Sequence, residues 1–259
     1  MPAMRPTLNV YALPKLVEAE ELAGSATAVI DVLRASTTIV YALEAGARQV
    51  IPCLEIADAL ALAEQLAAED VVLGGERAGV AIECFQLGNS PEEYSADRVG
   101  GKTVVLTTTN GTRAMVHARQ AELVLVASFP NAAAIVAKLL DYENISILCA
   151  GTDGLISDDD VLLAGLLVDR LQRQAGMVYQ LNAQALTARE TWLSTFALPQ
   201  ALGAEPLAPE RLAERLRKSL GAKNLLALGL DADVLAAAQL DSMDVVPRLD
   251  PQTFRISRA

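Results

Sequence analysis

The sequence predicts a single α/β domain, residues 1–259, in which helices cover both faces of a mainly parallel or mixed sheet. Short apolar runs rich in Val, Ile and Leu alternate with alanine-rich helical stretches, which is typical of strands joined by crossover helices. A chain of 259 residues with 52% hydrophobic content can bury a large core. The sequence contains no internal repeat. The expected architecture is therefore layered, α/β/α.

The individual elements follow from the same alternation. We expect strands at residues 27–30, 49–51, 71–73, 103–106, 123–126 and 145–149. We expect helices at residues 36–45, 56–68, 112–119, 131–141, 158–174 and 209–220. In the second helix, Ile56, Leu60, Ala63 and Ala67 recur at spacings of three and four, which places them on one buried face.

Two segments interrupt this order. Residues 79–101 are too rich in turn residues for a helix and too long for an ordinary connection, so we expect an active-site loop there. Residues 195–209 contain three prolines and a glycine, which predicts a soft boundary between two lobes.

Composition restricts the function. The net charge of -11 and the pI near 4.6 argue against nucleic-acid binding, which depends on clustered Lys and Arg. No apolar run approaches the roughly 20 residues that a membrane span requires, and the N-terminus has no signal-peptide pattern. Cys53, Cys84 and Cys149 form no Cys-x-x-Cys pair, so neither disulfides nor a zinc site is expected, and a reducing cytoplasm is the predicted location. The alanine-rich helices and apolar C-terminal half are compatible with a homodimer.

Two polar turns connect a predicted strand to a predicted helix. Their candidate ligand-binding residues are Asp31, Arg34, Ser36 and Thr37 in the first turn, and Thr108, Asn110, Gly111, Thr112 and Arg113 in the second. Hydroxyls and free N–H groups at a helix start can surround an anion, and an arginine can bind phosphate through two hydrogen bonds. The alternative is structural: Ser36 caps a helix, Asp31 and Arg34 form a surface ion pair, and the threonines end a strand.

Three further groups of polar residues are candidates for the same site. Glu76 and Arg77 follow a strand, and Asn89 and Ser90 lie in the long loop. Asp158 and Asp159 begin a helix, where the helix dipole alone favours acids, although carboxylates are also the ligands of a hard cation. The single histidine, His117, has no Arg-His-Gly context, which excludes histidine-phosphatase chemistry. The missing nucleotide-binding glycine motifs remove the main support for nucleotide-triphosphate and dinucleotide folds.

Taken together, five collinear motifs resemble the 2-phosphosulfolactate phosphatase family. They are residues 31–38, 74–77, 85–94, 107–113 and 149–152, the last followed by Asp158 and Asp159. The resemblance implies an α/β hydrolase that uses Mg²⁺ to convert 2-phospho-3-sulfolactate to 3-sulfolactate and phosphate in coenzyme M biosynthesis. It also implies that the substrate is a small, anionic, phosphorylated hydroxy acid.

The resemblance and the residue types together suggest roles. Asp31, Arg34 and Glu76 are expected to be catalytic, with Mg²⁺ held by Asp31 together with Glu76 or with Asp158 and Asp159. The predicted substrate ligands are Ser36, Thr37, Arg77, Asn89, Ser90, Thr108, Asn110, Gly111, Thr112 and Arg113, of which Arg77 or Arg113 would meet the sulfonate or carboxylate. The nucleophile is either water or Asp31 itself. Two other functions stay open: a non-catalytic small-anion-binding protein, and a lyase or isomerase acting on a phosphorylated acid.

Overall fold

The computed structural model describes residues 5–66, 70–197 and 207–259. Its strands form one sheet of 11 in the order β5-β4-β6-β3-β11-β10-β7-β2-β8-β1-β9. The strands are β1 (Thr7–Tyr11), β2 (Ala26–Ile30), β3 (Gln49–Cys53), β4 (Val71–Arg77), β5 (Val80–Ala81), β6 (Thr103–Thr107), β7 (Leu123–Ala127), β8 (Asn144–Cys149), β9 (Gln180–Leu181), β10 (Pro247–Asp250) and β11 (Arg255–Arg258).

The sheet consists of two parallel groups joined by an antiparallel hairpin. Strands β4, β6 and β3 form one group, and β7, β2, β8, β1 and β9 form the other. The hairpin of β10 and β11 lies between them and pairs with the amino-terminal halves of β3 and β7, at Val50 and at Val124 and Leu125. Because the hairpin contributes three antiparallel pairings in succession, the two groups run in opposite directions within the sheet.

Helices cover both faces of the sheet. They are α1 (Ala35–Glu44), α2 (Ile56–Gln65), α3 (Ala96–Val99), α4 (Asn110–His117), α5 (Ala132–Leu139), α6 (Asp158–Gln174), α7 (Ala183–Trp192), α8 (Pro209–Leu216), α9 (Leu220–Ala227) and α10 (Asp231–Ala237). In β2, Ala28 and Ile30 pack into a core with the helices from α5 to α10, whereas Val29 packs into a second core with α1 and α4. All five residues of β2 are buried, as expected of a strand covered on both sides.

The predicted fold class is confirmed, and each of the six predicted strands is present. The predicted helix at residues 209–220 is wrong, because α8 ends at Leu216 and the side chain of Ser219 caps a separate helix by accepting from the N–H of Ala222. Strands β1, β5, β9, β10 and β11 were not predicted.

Two predictions reach beyond the described residues. The soft boundary at residues 195–209 lies mostly outside them, as does the end of the helix predicted at residues 56–68. The single-domain prediction stays a prediction. Across the described ranges, no helix combines the length and apolar character needed to cross a membrane.

Candidate active site

A cavity of about 340 Å³ opens where the loops after β2, β4, β6 and β8 meet α9. This is the position at which open α/β sheets bind ligands, outside the carboxyl ends of the strands. Its lining residues are Asp31, Leu33, Arg34, Glu76, Ala78, Gly79, Asn89, Thr108, Thr109, Asn110, Thr152, Asp153, Gly221, Asn224, Leu225, Ala227 and Leu228. Residues from both predicted polar turns, at 31–38 and 107–113, therefore share one cavity.

In the turn after β2, the charged side chains line the cavity and the hydroxyls do not. Ser36 Oγ accepts a hydrogen bond from the N–H of Asp31 at 2.8 Å, and Thr37 Oγ1 donates to the carbonyl of Val32 at 2.7 Å. Both hydroxyl side chains are fully buried. The structure thus gives Ser36 and Thr37 partners within the protein, and their predicted contact with phosphate stays a prediction.

In the turn after β6, three polar residues line the cavity, whereas the predicted ligands Gly111, Thr112 and Arg113 do not. Thr108, Thr109 and Asn110 face it at the start of α4. Thr108 Oγ1 accepts from the N–H of Thr112 at 3.3 Å and lies 3.0 Å from Thr112 Oγ1, which fixes the first turn of the helix. A helix N-terminus that faces a cavity is suited to bind an anion.

Gly111 is the point where the two turns touch. A Cβ atom on this residue would lie 2.5 Å from Ala35 Cβ and 2.7 Å from Asp31 Oδ2. Both distances are too short for a side chain, so glycine permits the close approach of α4 to the start of α1. Packing alone therefore explains why position 111 is a glycine, whether or not Gly111 contacts a ligand.

Glu76 connects the end of β4 to the turn after β6. Its Oε1 accepts from the N–H of Thr109 at 3.0 Å and from Thr109 Oγ1 at 3.1 Å, and its Oε2 accepts from the N–H of Gly79 at 2.7 Å. The side chain is buried and still lines the cavity. Its carboxylate is held by three donors in a fixed orientation.

Arg34 carries the positive charge of the site. Among the described residues that line the cavity it alone is cationic, whereas Asp31, Glu76 and Asp153 are acidic. Its Nη1 donates to Asp233 Oδ2 at 2.6 Å, and its Nη2 donates to the carbonyl of Gly79 at 3.0 Å. Both side chains of this ion pair are 4% exposed.

Buried acids surround Asp31. Burial, and then the negative charges of Asp159 and Glu76, raise the pKa of Asp31 to about 7, against the opposing backbone N–H groups of Ala35 and Gly111. Burial and the charges of Asp159 and Asp31 also raise the pKa of Asp160 well above its ordinary value. The cluster thus holds more negative charge than its protein neighbours neutralise, an arrangement that a bound cation would relieve.

The neighbouring acids have different positions. Asp159 is buried behind the cavity lining, where it accepts from Ser157 Oγ, and its pKa is raised by burial. Asp160 accepts from the N–H groups of Val32 and Gly151, each at 2.9 Å, and so ties the ends of β2 and β8 together. Asp158 is exposed and pairs with Arg215 at 3.2 Å.

The predicted four-residue metal set is not assembled as one shell. In the described part of the chain, no three acidic, histidine or cysteine side chains come together in a way that could hold a metal ion. Asp31 and Glu76 share the cavity, whereas Asp158 and Asp159 lie outside its lining. The ligand set and Mg²⁺ itself stay predictions.

The remaining predicted residues divide between the cavity and its surroundings. Asn89 lines the cavity, and its buried Oδ1 has no hydrogen-bond partner among the described residues. Ser90 lies behind the lining and donates to Asp233 Oδ2 at 3.0 Å. Arg77 donates to the carbonyls of Glu76 and Leu54, and Arg113 is exposed on α4; neither lines the cavity.

Sequence reasoning missed the contribution of the C-terminal helices. Gly221, Asn224 and Leu225 of α9 and Leu228, directly after its end, line the cavity. Asp233 on α10 holds Arg34. Neither helix was predicted as a separate element. Asp160 follows the predicted residue Asp159 in the sequence. Only the tertiary structure shows that Asp160 is buried between the ends of β2 and β8.

The fold and the cavity define an α/β protein with a small polar pocket at the carboxyl ends of its strands. The family model of 2-phosphosulpholactate phosphatase matches residues 11–252. A probable 2-phosphosulfolactate phosphatase of Symbiobacterium thermophilum is 39% identical over 230 residues, which cover 88% of this chain and 93% of that relative. One from Deinococcus radiodurans is 41% identical over 227 residues, with 86% and 87% covered.

A further relative of the same name, from Thermotoga maritima, is 40% identical over 222 residues, with 85% of this chain and 87% of the relative covered. The chain therefore belongs to the 2-phosphosulfolactate phosphatase family. The resemblance predicted from the five motifs is confirmed, and so is the phosphatase class.

Proposed function

We propose that this chain is a magnesium-dependent phosphatase that hydrolyses 2-phospho-3-sulfolactate, or a related phosphorylated hydroxy acid, to the alcohol and phosphate. The observation that carries the proposal is the cavity in which Arg34, the start of α4 and the carboxylates of Asp31 and Glu76 come together. Membership in the family supports the same substrate.

The donor set of the cavity fits Mg²⁺. Magnesium prefers oxygen ligands and is usually bound by one or two carboxylates while it keeps several waters, so Asp31 and Glu76 suffice as direct ligands. The buried Oδ1 of Asn89, which has no partner among the described residues, is a further oxygen at the same site. When bound there, the ion would neutralise phosphoryl charge and lower the pKa of a water molecule.

The protein groups would bind the phosphate from two sides. Arg34 is held with its guanidinium in the cavity, and charge-assisted hydrogen bonds from an arginine suit phosphoryl oxygens. The start of α4 presents Asn110 from the opposite turn, since the N–H and the hydroxyl of Thr109 both donate to Glu76. The phosphate would therefore bridge the turn after β2 and the turn after β6.

Among the residues that line the cavity, Asp31 is the candidate general base or nucleophile. In the metal-free site its pKa is raised to about 7, which makes its carboxylate a stronger proton acceptor than an ordinary aspartate. Mg²⁺ bound to the same carboxylate would lower this pKa. It would either take the proton of an attacking water or attack phosphorus itself. Crystals grown with a metal fluoride separate these routes, because a fluoride group in line with an Asp31 oxygen would rule out direct attack by water.

The proposal is tested by phosphate release. Purified protein is incubated with 2-phospho-3-sulfolactate and a panel of phospholactate-like esters, with Mg²⁺ or with excess EDTA. We expect turnover that EDTA abolishes and Mg²⁺ restores. Absence of metal-dependent release across the panel would favour a binding protein, and consumption of ester without inorganic phosphate in ³¹P NMR would identify a lyase or isomerase.

Three accompanying predictions belong to the same proposal. They are a role in coenzyme M biosynthesis, a cytoplasmic location and a homodimer. The three cysteines are free thiols in the structure. Light scattering of the purified protein measures the oligomeric state, with twice the chain mass expected.

A further inference from the structure

Arg34 and Asp233 form a buried ion pair that joins the cavity to the C-terminal helices. They are separated by 199 positions in the sequence, and the Nη1 to Oδ2 distance is 2.6 Å. Both side chains are 4% exposed, so the pair is removed from solvent. Asp233 lies in the first turn of α10 and is outside the cavity lining.

The same carboxylate oxygen also holds the long loop. Asp233 Oδ2 accepts from Ser90 Oγ at 3.0 Å as well as from Arg34. One atom thus connects α10, the segment after Asn89 and the turn after β2. The carbonyl of Gly79 accepts from Arg34 Nη2 at 3.0 Å and Ser90 Oγ accepts from Nη1 at 3.4 Å, so three protein acceptors fix the guanidinium.

These contacts leave part of the guanidinium for a ligand. An arginine has five N–H donors in a fixed fork, and the hydrogen bonds to Asp233, Ser90 and Gly79 use only Nη1 and Nη2. Within the described residues, Nε–H has no hydrogen bond, and Nη2 has a second N–H. These donors match the spacing of two phosphoryl oxygens.

A buried ion pair is weak evidence for a contribution to stability. The cost of removing both charges from water commonly cancels the attraction between them, and apolar replacements are often equally stable. The pair also reduces the net positive charge that Arg34 offers to an anion. The benefit of the ion pair is orientation, because the side chain of an arginine is flexible until hydrogen bonds fix its guanidinium group.

We propose that Asp233 is a positioning residue: it orients the guanidinium of Arg34 toward the phosphoryl group of the substrate and does not itself contact substrate. This inference rests on the proposed function, because it assigns Arg34 to the phosphate. The C-terminal helices thereby complete a site whose other polar groups come from the strand ends.

The first experiment compares two substitutions of Asp233 with a matched control on the same helix. Asp233→Ala removes the acceptor, and we expect kcat/KM for Mg²⁺-dependent phosphate release to fall about 10- to 100-fold, the size expected for a misplaced binding group. Asp233→Asn keeps an oxygen that accepts from Nη1, and we expect it to recover a large part of that loss. Asp231→Asn removes the half-exposed partner of Arg217 and should retain the wild-type rate.

The second experiment is a double-mutant cycle with Arg34→Ala. If Asp233 acts only through Arg34, Asp233→Ala lowers kcat/KM in the wild-type background but not in the Arg34→Ala background. An equal loss in both backgrounds would overturn the proposal and leave Asp233 as a helix anchor. Thermal unfolding of each variant distinguishes a folding defect from a loss of kcat/KM in the folded protein. If Asp233→Ala does not fold, the near-isosteric Asp233→Asn takes its place in the cycle.

The same cycle is measured on the affinity for inorganic phosphate in Mg²⁺, by calorimetry. If the wild-type protein binds phosphate but hydrolyses no ester, the proposed function fails while the cycle still tests the role of Asp233. If it hydrolyses esters and Asp233→Ala behaves as wild type, only this inference fails. Wild-type phosphate affinity in Arg34→Ala would overturn the inference as well, because Arg34 would then make no contact with phosphate for Asp233 to orient.

Discussion

The turn after β2 and the turn after β6 have similar compositions but use their hydroxyl groups differently. In the first, Ser36 and Thr37 hold the local backbone and are fully buried, and the cavity receives Asp31 and Arg34 instead. In the second, hydroxyl and amide residues line the cavity directly. The first turn thus supplies charge and the second supplies hydrogen-bond donors, so the two are complementary parts of one site.

The largest expected effect comes from the acid of the first turn. Asp31→Asn removes both the carboxylate proposed to hold Mg²⁺ and the candidate base or nucleophile, so we expect kcat/KM to fall about 1,000-fold. Steady-state phosphate release measures this, with circular dichroism to check the fold. Wild-type turnover in Asp31→Asn would place the chemistry outside the first turn.

The buried acids also predict how stability depends on pH. The pKa of Asp31 in the folded protein, about 7, lies above its ordinary value of 3.8, so the folded state keeps a proton that the unfolded chain releases. The stability of the metal-free protein should therefore fall as pH rises from about 4 to about 7, by at most about 4 kcal/mol from this group.

Asp159 and Asp160, whose pKa values are also raised, act in the same direction. Because Mg²⁺ competes with protons for the carboxylates, its stabilising effect should grow over the same range. Urea unfolding with EDTA or with Mg²⁺ at several pH values measures both effects. If the metal-free protein became more stable as pH rises through this range, the raised pKa values of the buried acids would be contradicted.

The contact between the two turns depends on Gly111. Gly111→Ala would place a Cβ atom 2.7 Å from Asp31 Oδ2, so the turns must separate. We expect a loss of about 1–3 kcal/mol in the free energy of unfolding, together with about tenfold lower kcat/KM. Gly176→Ala, where a Cβ atom would meet no neighbour within 4 Å, is the matched control. Unchanged activity in Gly111→Ala would show that the turns work independently.

A pair of smaller substitutions separates the hydroxyl groups by role. Thr37→Val removes the hydroxyl that bonds to Val32 and Ser128, and should cost about 1–3 kcal/mol of stability with little change in KM. Asn110→Ala should leave stability nearly unchanged and raise KM or lower kcat about tenfold. Chemical denaturation and steady-state kinetics on both variants test the contrast. The reverse result would show that the first turn, too, presents hydroxyls to substrate.

Several features of the site could be predicted from the sequence because they depend on strand ends. Asp31 and Asn110 each follow a run of apolar residues, at the carboxyl end of a strand where α/β sheets place ligand groups, so a role for each turn was predictable. Their convergence was not, because three antiparallel pairings separate the groups that contain β2 and β6. The direction of Thr37 was not, because a turn hydroxyl faces the backbone or a ligand according to tertiary contacts.

Other features left little signal in the sequence. The hairpin of β10 and β11 buries chiefly Leu249 and Ile256 in its two short strands, too few apolar residues for a periodic pattern. The pairing of Arg34 with Asp233 joins residues 199 positions apart, and no local pattern encodes such a contact.

The central claim is that the turns after β2 and β6 bind one phosphate together. A crystal structure of the protein grown with Mg²⁺ and inorganic phosphate tests it most directly. We predict phosphate oxygens within hydrogen-bond distance of both Arg34 and the first turn of α4, with Mg²⁺ beside Asp31 and Glu76. A phosphate that contacts only one of the two turns, or that binds outside this cavity, would contradict the account.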